Sequence, residues 1–165
     1  MIAAISDFFL QTLGRRWCVF LCSLLPVIEL RGAIPLGAGF GLHPVETYLL
    51  AVAGNLLPVP FLLLLLRWIL AGMKRIPGLR RIALYLETKA QKNRMKVEKY
   101  AFWGLFLFVA IPLPGTGAWT GSLVAALMRM RFPKALLSVI AGVMTAGLIM
   151  SLISYGVATV FSTWF

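Results

Sequence analysis

The sequence predicts an all-α integral membrane protein. It reads as two inverted repeats, each a re-entrant helical hairpin followed by a transmembrane helix, with a basic cytoplasmic amphipathic helix between them. Three observations carry this. Hydrophobic residues fill 61% of the 165 positions and charged residues only 13%, where soluble domains carry about 25% charged residues. The charges are segregated: of 16 Lys and Arg, ten fall between Arg67 and Lys99. Two hydrophobic stretches are interrupted at their centres by Pro and Gly, and each is followed by a hydrophobic run free of charge for most of its length.

Too few charges remain to cover a water-facing surface, so residues 1–165 form a single membrane domain. The net charge of +11 could suit nucleic acid, but its position decides against that partner. A basic block flanking hydrophobic spans marks the cytoplasmic side and attracts anionic lipid. Cys18 and Cys22 are four apart in an apolar run, on one helical face, and read as packing residues. With one histidine, His43, there is little from which to build a metal site. Neither a metal nor a cofactor is expected.

Residues 1–16 read as an interfacial helix. Ile2, Ile5, Phe9 and Leu13 share a face, with Asp7 and Gln11 off it, and the segment falls short of the roughly 20 residues a spanning helix needs. Repeat 1 covers 17–66, with a hairpin at 17–43 broken around Pro26, Glu29, Arg31, Gly32 and Pro35, and a span at 44–66 kinked by Pro58 and Pro60. Residues 67–99 are the basic cytoplasmic segment. After Pro77-Gly78, a helix over 79–99 places Leu79, Ile82, Ala83, Leu86, Ala90 and Val97 on one face. Repeat 2 covers 100–165, with a hairpin at 100–130 broken around Pro112, Pro114, Gly115, Gly117 and Gly121, and a span at 133–163.

The halves match in spacing. Gly32 precedes Pro44 by 12 residues, as Gly121 precedes Pro133. Gly54 in the first span corresponds to Gly142 in the second, and Pro26 to Pro114, at offsets of 88 or 89. Backbone freed by Pro or Gly cannot be hydrogen-bonded by lipid, so broken segments line protein or water. Paired broken segments in two halves point to a transporter site. Two topologies are open. Re-entrant hairpins put Arg129, Arg131 and Lys134 inside and Arg15 and Arg16 outside; four full spans reverse both placements. Charge counting barely separates them, and the central breaks and the repeat favour hairpins.

Two constellations could carry chemistry. In Pro26-Val27-Ile28-Glu29-Leu30-Arg31-Gly32-Ala33-Ile34-Pro35, each charge costs about 2.5–3.5 kcal/mol at a membrane helix centre, which makes both functional suspects. The bland reading is that Glu29 and Arg31 neutralise each other or staple the hairpins together. In Pro112-Leu113-Pro114-Gly115-Thr116-Gly117-Ala118-Trp119-Thr120-Gly121, Thr116 and Thr120 could cap a helix start or meet a ligand, with Trp119 as an amphipathic wall. Its bland reading is a tight hairpin tip. Two returning helices would bring their N-termini together near Arg31, which suits a phosphate or carboxylate, with Glu29 as proton carrier or Arg31 orienter. Asn55, alone in a span, reads as an interhelical hydrogen bond. No P-loop, GxSxG, HExxH or CxxC pattern is present, and an enzyme is not expected.

These two motifs closely resemble the signatures of the small multidrug export protein family, over nearly the whole chain. That family resembles in turn the DedA, SNARE-associated or VTT membrane proteins. The resemblance implies paired re-entrant hairpins and translocation of a lipid carrier or phospholipid, often proton-coupled. The chain departs from the DedA pattern in two places: Thr116 stands where an acid usually follows Pro-Gly, and Glu29 and Arg31 sit together in one half. The expectation is a multi-pass protein of the inner, cytoplasmic membrane. It would move an anionic amphiphile such as a lipid phosphate, with membrane lipids and a small amphiphilic substrate as its partners. Export of lipophilic cations by proton antiport and a non-transporting scaffold are the alternatives. Two small halves give a thin wall, which a homodimer would thicken.

Overall fold

A computed structural model describes residues 14–73, 94–113 and 115–164. Within them the chain forms seven helices and no strands: α1 (Arg15–Leu24), α2 (Glu29–Gly39), α3 (Pro44–Leu56), α4 (Val59–Met73), α5 (Arg94–Ala110), α6 (Ala118–Leu127) and α7 (Phe132–Trp164). Among the described residues, two stretches are long and apolar enough to cross a membrane, Pro44–Leu65 and Phe132–Val157. The first has 22 residues, about 33 Å at the α-helical rise, against a hydrocarbon core of about 30 Å.

Boundaries obey local chemistry. Pro44 opens α3 at its first turn, with His43 extended before it and Glu46 on the positive end of the helix. Pro58 and Pro60 lack the N–H groups a continuous helix would use, and α3 gives way to α4 through Leu57 and Pro58. The ends of α2 and α6 share one device. Leu42 N–H donates to the Gly37 carbonyl and Gly41 N–H to that of Ala38; Met130 and Arg129 do the same with Ala125 and Ala126. These are Schellman caps, with Gly41 at φ 71° and Arg129 at φ 53°.

The first broken segment doubles back. Arg15, opening α1, donates to the carbonyl of Phe40, just past the end of α2, at 3.2 Å, and Arg16 pairs with Glu46 at the start of α3. The second broken segment does likewise, since Gly121 of α6 lies against Leu105 and Val109 of α5. Each first limb packs on its own half's span, α1 on α3 and α5 on α7; the second limbs reach both halves, α2 packing on α3 and α7, and α6 on α4 and α7. The crossings are close. A side chain at Gly54 would strike the Phe20 carbonyl, and one at Gly142 would strike Val109 and the Phe106 carbonyl. Cys18 and Cys22 are fully buried on α1.

Several sequence expectations change. Arg15 and Arg16 belong to α1, not to an interfacial helix, whose residues 1–13 lie outside the described residues. Of the basic segment 67–99, the first part continues α4 to Met73 and the last part begins α5 at Arg94; the rest of the amphipathic helix expected over 79–99 lies outside the described residues. Pro35 does not break its segment. It stands inside α2, where it removes one hydrogen bond from an otherwise helical run.

Candidate functional site

The two breaks are adjacent in space. After Leu24 the chain turns extended at Leu25, exposes Pro26 and Val27, and buries Ile28 and Glu29. Glu29 adopts φ 50°, a left-handed conformation that costs a residue with a Cβ about 1–2 kcal/mol. The other break runs from Ile111 to Gly117, turning at Gly115 with φ 83°. Both breaks leave helix ends whose backbone groups lack intrahelical partners.

Each half supplies what the other's broken ends lack. The Glu29 carboxylate, 6% exposed, accepts the backbone N–H of Trp119 at 3.2 Å, in the first turn of α6. That helix has no side-chain cap of its own. A negative charge from 90 residues upstream therefore faces its positive end. Arg31 serves the opposite polarity. Its Nη2 donates to the carbonyls of Ile111 at 3.2 Å and Val109 at 3.4 Å, at the negative end of α5, and to Thr116 Oγ1 at 2.8 Å. Thr116 in turn has the carbonyls of Ile111 and Leu113 within 2.9 Å for its own proton. In the reverse direction, the Trp119 indole N–H donates to the Leu24 carbonyl at the end of α1, at 3.3 Å.

Within the first hairpin the two charges interact loosely. Arg31 Nη1 is 3.9 Å from Glu29 Oε2, beyond hydrogen-bond range. The Arg31 Nε is buried without a partner. A Cβ on Gly117 would meet the Glu29 carboxylate, so it fits only if that side chain moves. The φ of 166° is open to any residue, so the preference for glycine there comes from this contact and not from backbone conformation.

A cleft of about 370 Å³ opens between the tips, near the lower end of the roughly 300–1,000 Å³ typical of small-molecule sites. Pro26, Val27, Ile28, Glu29, Arg31, Gly32, Gly115, Thr116 and Thr120 line it. The structure thus brings together Pro26, Glu29, Arg31, Gly32, Gly115, Thr116 and Thr120 from the sequence-derived set, with Gly117 and Trp119 against Glu29. The others stand apart. Pro35 is exposed on α2, and Pro112 is half-buried in the connection. Gly121 packs on Val109, and Pro114 lies outside the described residues.

Three expectations are corrected. Thr116 does not cap α6, whose N-cap is Gly117; its hydroxyl receives Arg31. Asn55 is fully buried, and among the described residues neither of its amide atoms has a hydrogen-bond partner, in place of the expected interhelical bond. One helix start, that of α6, meets the Glu29 carboxylate, while Arg31 turns to the end of α5. Sequence reasoning missed Val27 and Ile28 as lining, and the carbonyls of Leu24, Val109 and Ile111 as partners. The available signal was that each lies at the end of a helix run ahead of Pro26 or Pro112, where the last carbonyls go unserved.

A family model described as "Putative small multi-drug export protein" matches residues 29–149. No curated protein and no solved structure matches the chain.

Proposed function

This chain belongs to the small multi-drug export protein family, a family of membrane proteins, and from that premise we propose that it is a proton-linked secondary transporter or lipid translocase for an anionic amphiphile, such as a lipid phosphate. The cleft between the hairpin tips takes the charged head, Arg31 attracts it, and Glu29 exchanges the proton. The observation that carries this is the pair itself. Two charges are held at one cleft by helix breaks that leave them facing backbone ends, in an otherwise apolar body.

In this reading the protein is multi-pass in the cytoplasmic membrane, and the broken segments are re-entrant hairpins in two inverted halves. Limb length supports re-entry. α1, α2 and α6 have 10, 11 and 10 residues, about 15–17 Å each, half the hydrocarbon thickness; α5 is longer, at 17 residues, but its apolar part is only Tyr100–Ala110. The Schellman caps support the repeat, since Gly41 and Arg129 stand 88 residues apart, as do the close-packed Gly54 and Gly142. Inversion gives the cleft access to each side in turn as one half rocks against the other.

The test is transport by the purified protein in liposomes. A fluorescent short-chain lipid phosphate should move in response to a proton gradient, and Arg31→Ala should abolish that movement. Full transport by Arg31→Ala removes the anion site. Proton-driven accumulation of lipophilic cations, lost in Glu29→Gln, replaces the proposal with drug export.

A further inference from the structure

The cleft between the tips has a polar floor and an apolar rim. Glu29 is buried at the floor, with Arg31, Thr116 and Thr120 half-buried around it, whereas Pro26, Val27 and Gly115 at the mouth are exposed. Val27 is 65% exposed, and Leu113, 55% exposed, stands beside the opposite lip, its carbonyl near the Thr116 hydroxyl. None of these four mouth residues has a side chain that can hydrogen-bond to water. Helix lengths give the depth. Trp17 is exposed near the start of α1, about 10 Å from its end at Leu24. Gly54 lies against Phe20 and Ser23, so the first span reaches the level of the tips where α3 gives way to α4. On the far side Trp68 of α4 and Tyr100 of α5 are exposed, about 14 Å beyond Val59 and about 15 Å before Ala110. Exposed Trp and Tyr collect at membrane–water interfaces. Two such belts about 25 Å apart fit a hydrocarbon core of about 30 Å with the tips near its centre.

From this we infer that the cleft opens sideways into the hydrocarbon and takes a membrane lipid with an anionic head, which enters from within the bilayer: the head reaches Arg31 while the chains stay outside, between Val27 and Leu113. The inference rests on the proposed reading of the cleft and names its substrate class and its route.

The rim selects between sources of the anion. A water-borne phosphate would shed its hydration on Pro26, Val27 and Leu113 before it met a charge, which is costly for an ion. A lipid's chains meet the same residues as they meet any apolar neighbour in the bilayer, and only the head is transferred to the polar floor. The volume agrees. About 370 Å³ accepts a head and leaves no space for two long chains as well. Exchange between leaflets then needs no aqueous passage for the chains, which slide along the outside of the tips.

The test uses the full-length protein in phosphatidylcholine vesicles, lacking Cys18 and Cys22, with a spin label on one introduced cysteine at a time. Phe61, exposed on α4 just past the tips, is the lipid reference, and His43, exposed at the start of α3, is the water reference. Oxygen concentrates in hydrocarbon and a nickel chelate stays in water. A label at Val27 should follow Phe61, relaxed by oxygen and spared by nickel. Val27 following His43 overturns the inference, and so does a Val27 label shielded from both agents, since a second copy of the chain would then cover the mouth. The native chain gives an independent measurement. Phosphatidic acid with a photoreactive acyl chain should label residues 26–28 and 111–113 about fivefold more than the matching phosphatidylcholine, the preference one basic side chain gives an anionic lipid. Excess glycerol phosphate in the water should leave that labelling unchanged. Equal labelling by the two lipids removes the anionic head from the inference, and displacement by glycerol phosphate assigns the site to free anions; either overturns it. Any of these failures alongside Arg31-dependent transport leaves the transporter reading standing.

Discussion

Replacing Gly117 with alanine isolates the contact between the two halves. The new Cβ would occupy the space of the Glu29 carboxylate, whose side chain is flexible and would swing away. The backbone tolerates alanine at φ 166°, and the intrinsic preference for glycine over alanine at an N-cap is modest beside the loss of a charged partner. The cost is therefore the interaction lost. A hydrogen bond to a charged group contributes about 1.5–3 kcal/mol, and a carboxylate at a helix start about 0.3–1 kcal/mol more. The bond at 3.2 Å is long for a charge-assisted one, which places the loss near the low end, about 2 kcal/mol. Glu29→Ala loses the same interaction and also removes the counter-charge of Arg31, for about 3 kcal/mol. The double variant has nothing left to collide and should cost no more than Glu29→Ala alone, a coupling of about 2 kcal/mol. Reversible unfolding by SDS in mixed micelles, monitored by circular dichroism, measures all four corners of the cycle. Additive costs near 5 kcal/mol would refute the contact.

Three further outcomes are expected. Cysteines placed singly at Arg131 and Phe165, in a variant lacking Cys18 and Cys22, should react with a membrane-impermeant reagent on intact cells at Phe165 and not at Arg131; the opposite pattern sinks the inverted hairpins. Arg129→Gly should raise stability by about 0.5–1 kcal/mol by relieving its left-handed conformation, net of glycine's greater freedom when unfolded, while Gly41→Ala should lose about 1 kcal/mol at the equivalent cap; a thermal shift of opposite sign in either contradicts the cap assignment. Asn55→Val copies Val143, which comes after Gly142 as Asn55 comes after Gly54. Removing a buried amide with no partner should stabilise the fold by about 1 kcal/mol, and a loss of stability would reveal a partner for Asn55.

Much of the fold was legible because it depends on local composition. Uncharged length, the prolines at 58 and 60, and the glycines at 54 and 142 are all readable without a partner. Pro35 misled, because a proline marks a break only where the helix cannot absorb one missing N–H, and α2 absorbs it. Glu29 and Arg31 stood out as charges in hydrocarbon, which is a property of the residues themselves. Their partners did not stand out, because those partners are a backbone N–H and two carbonyls some 80 to 90 residues away. Every residue carries such groups, so no side-chain pattern marks the ones in use. Thr116 was legible as polar but not as the acceptor for Arg31, since that depends on which way the tip turns at Gly115.

The reciprocal serving of helix ends also bears on synthesis. A ribosome makes Glu29 and Arg31 long before Ile111, Thr116 and Trp119 exist. During that interval the first hairpin would carry two charges whose partners are missing, each costing about 2.5–3.5 kcal/mol inside a membrane. The early chain is then best kept at the lipid headgroups or against the insertion machinery until the second hairpin arrives. Burial of the Glu29–Arg31 tip would thus be a late event, timed by the emergence of Thr116 and Trp119.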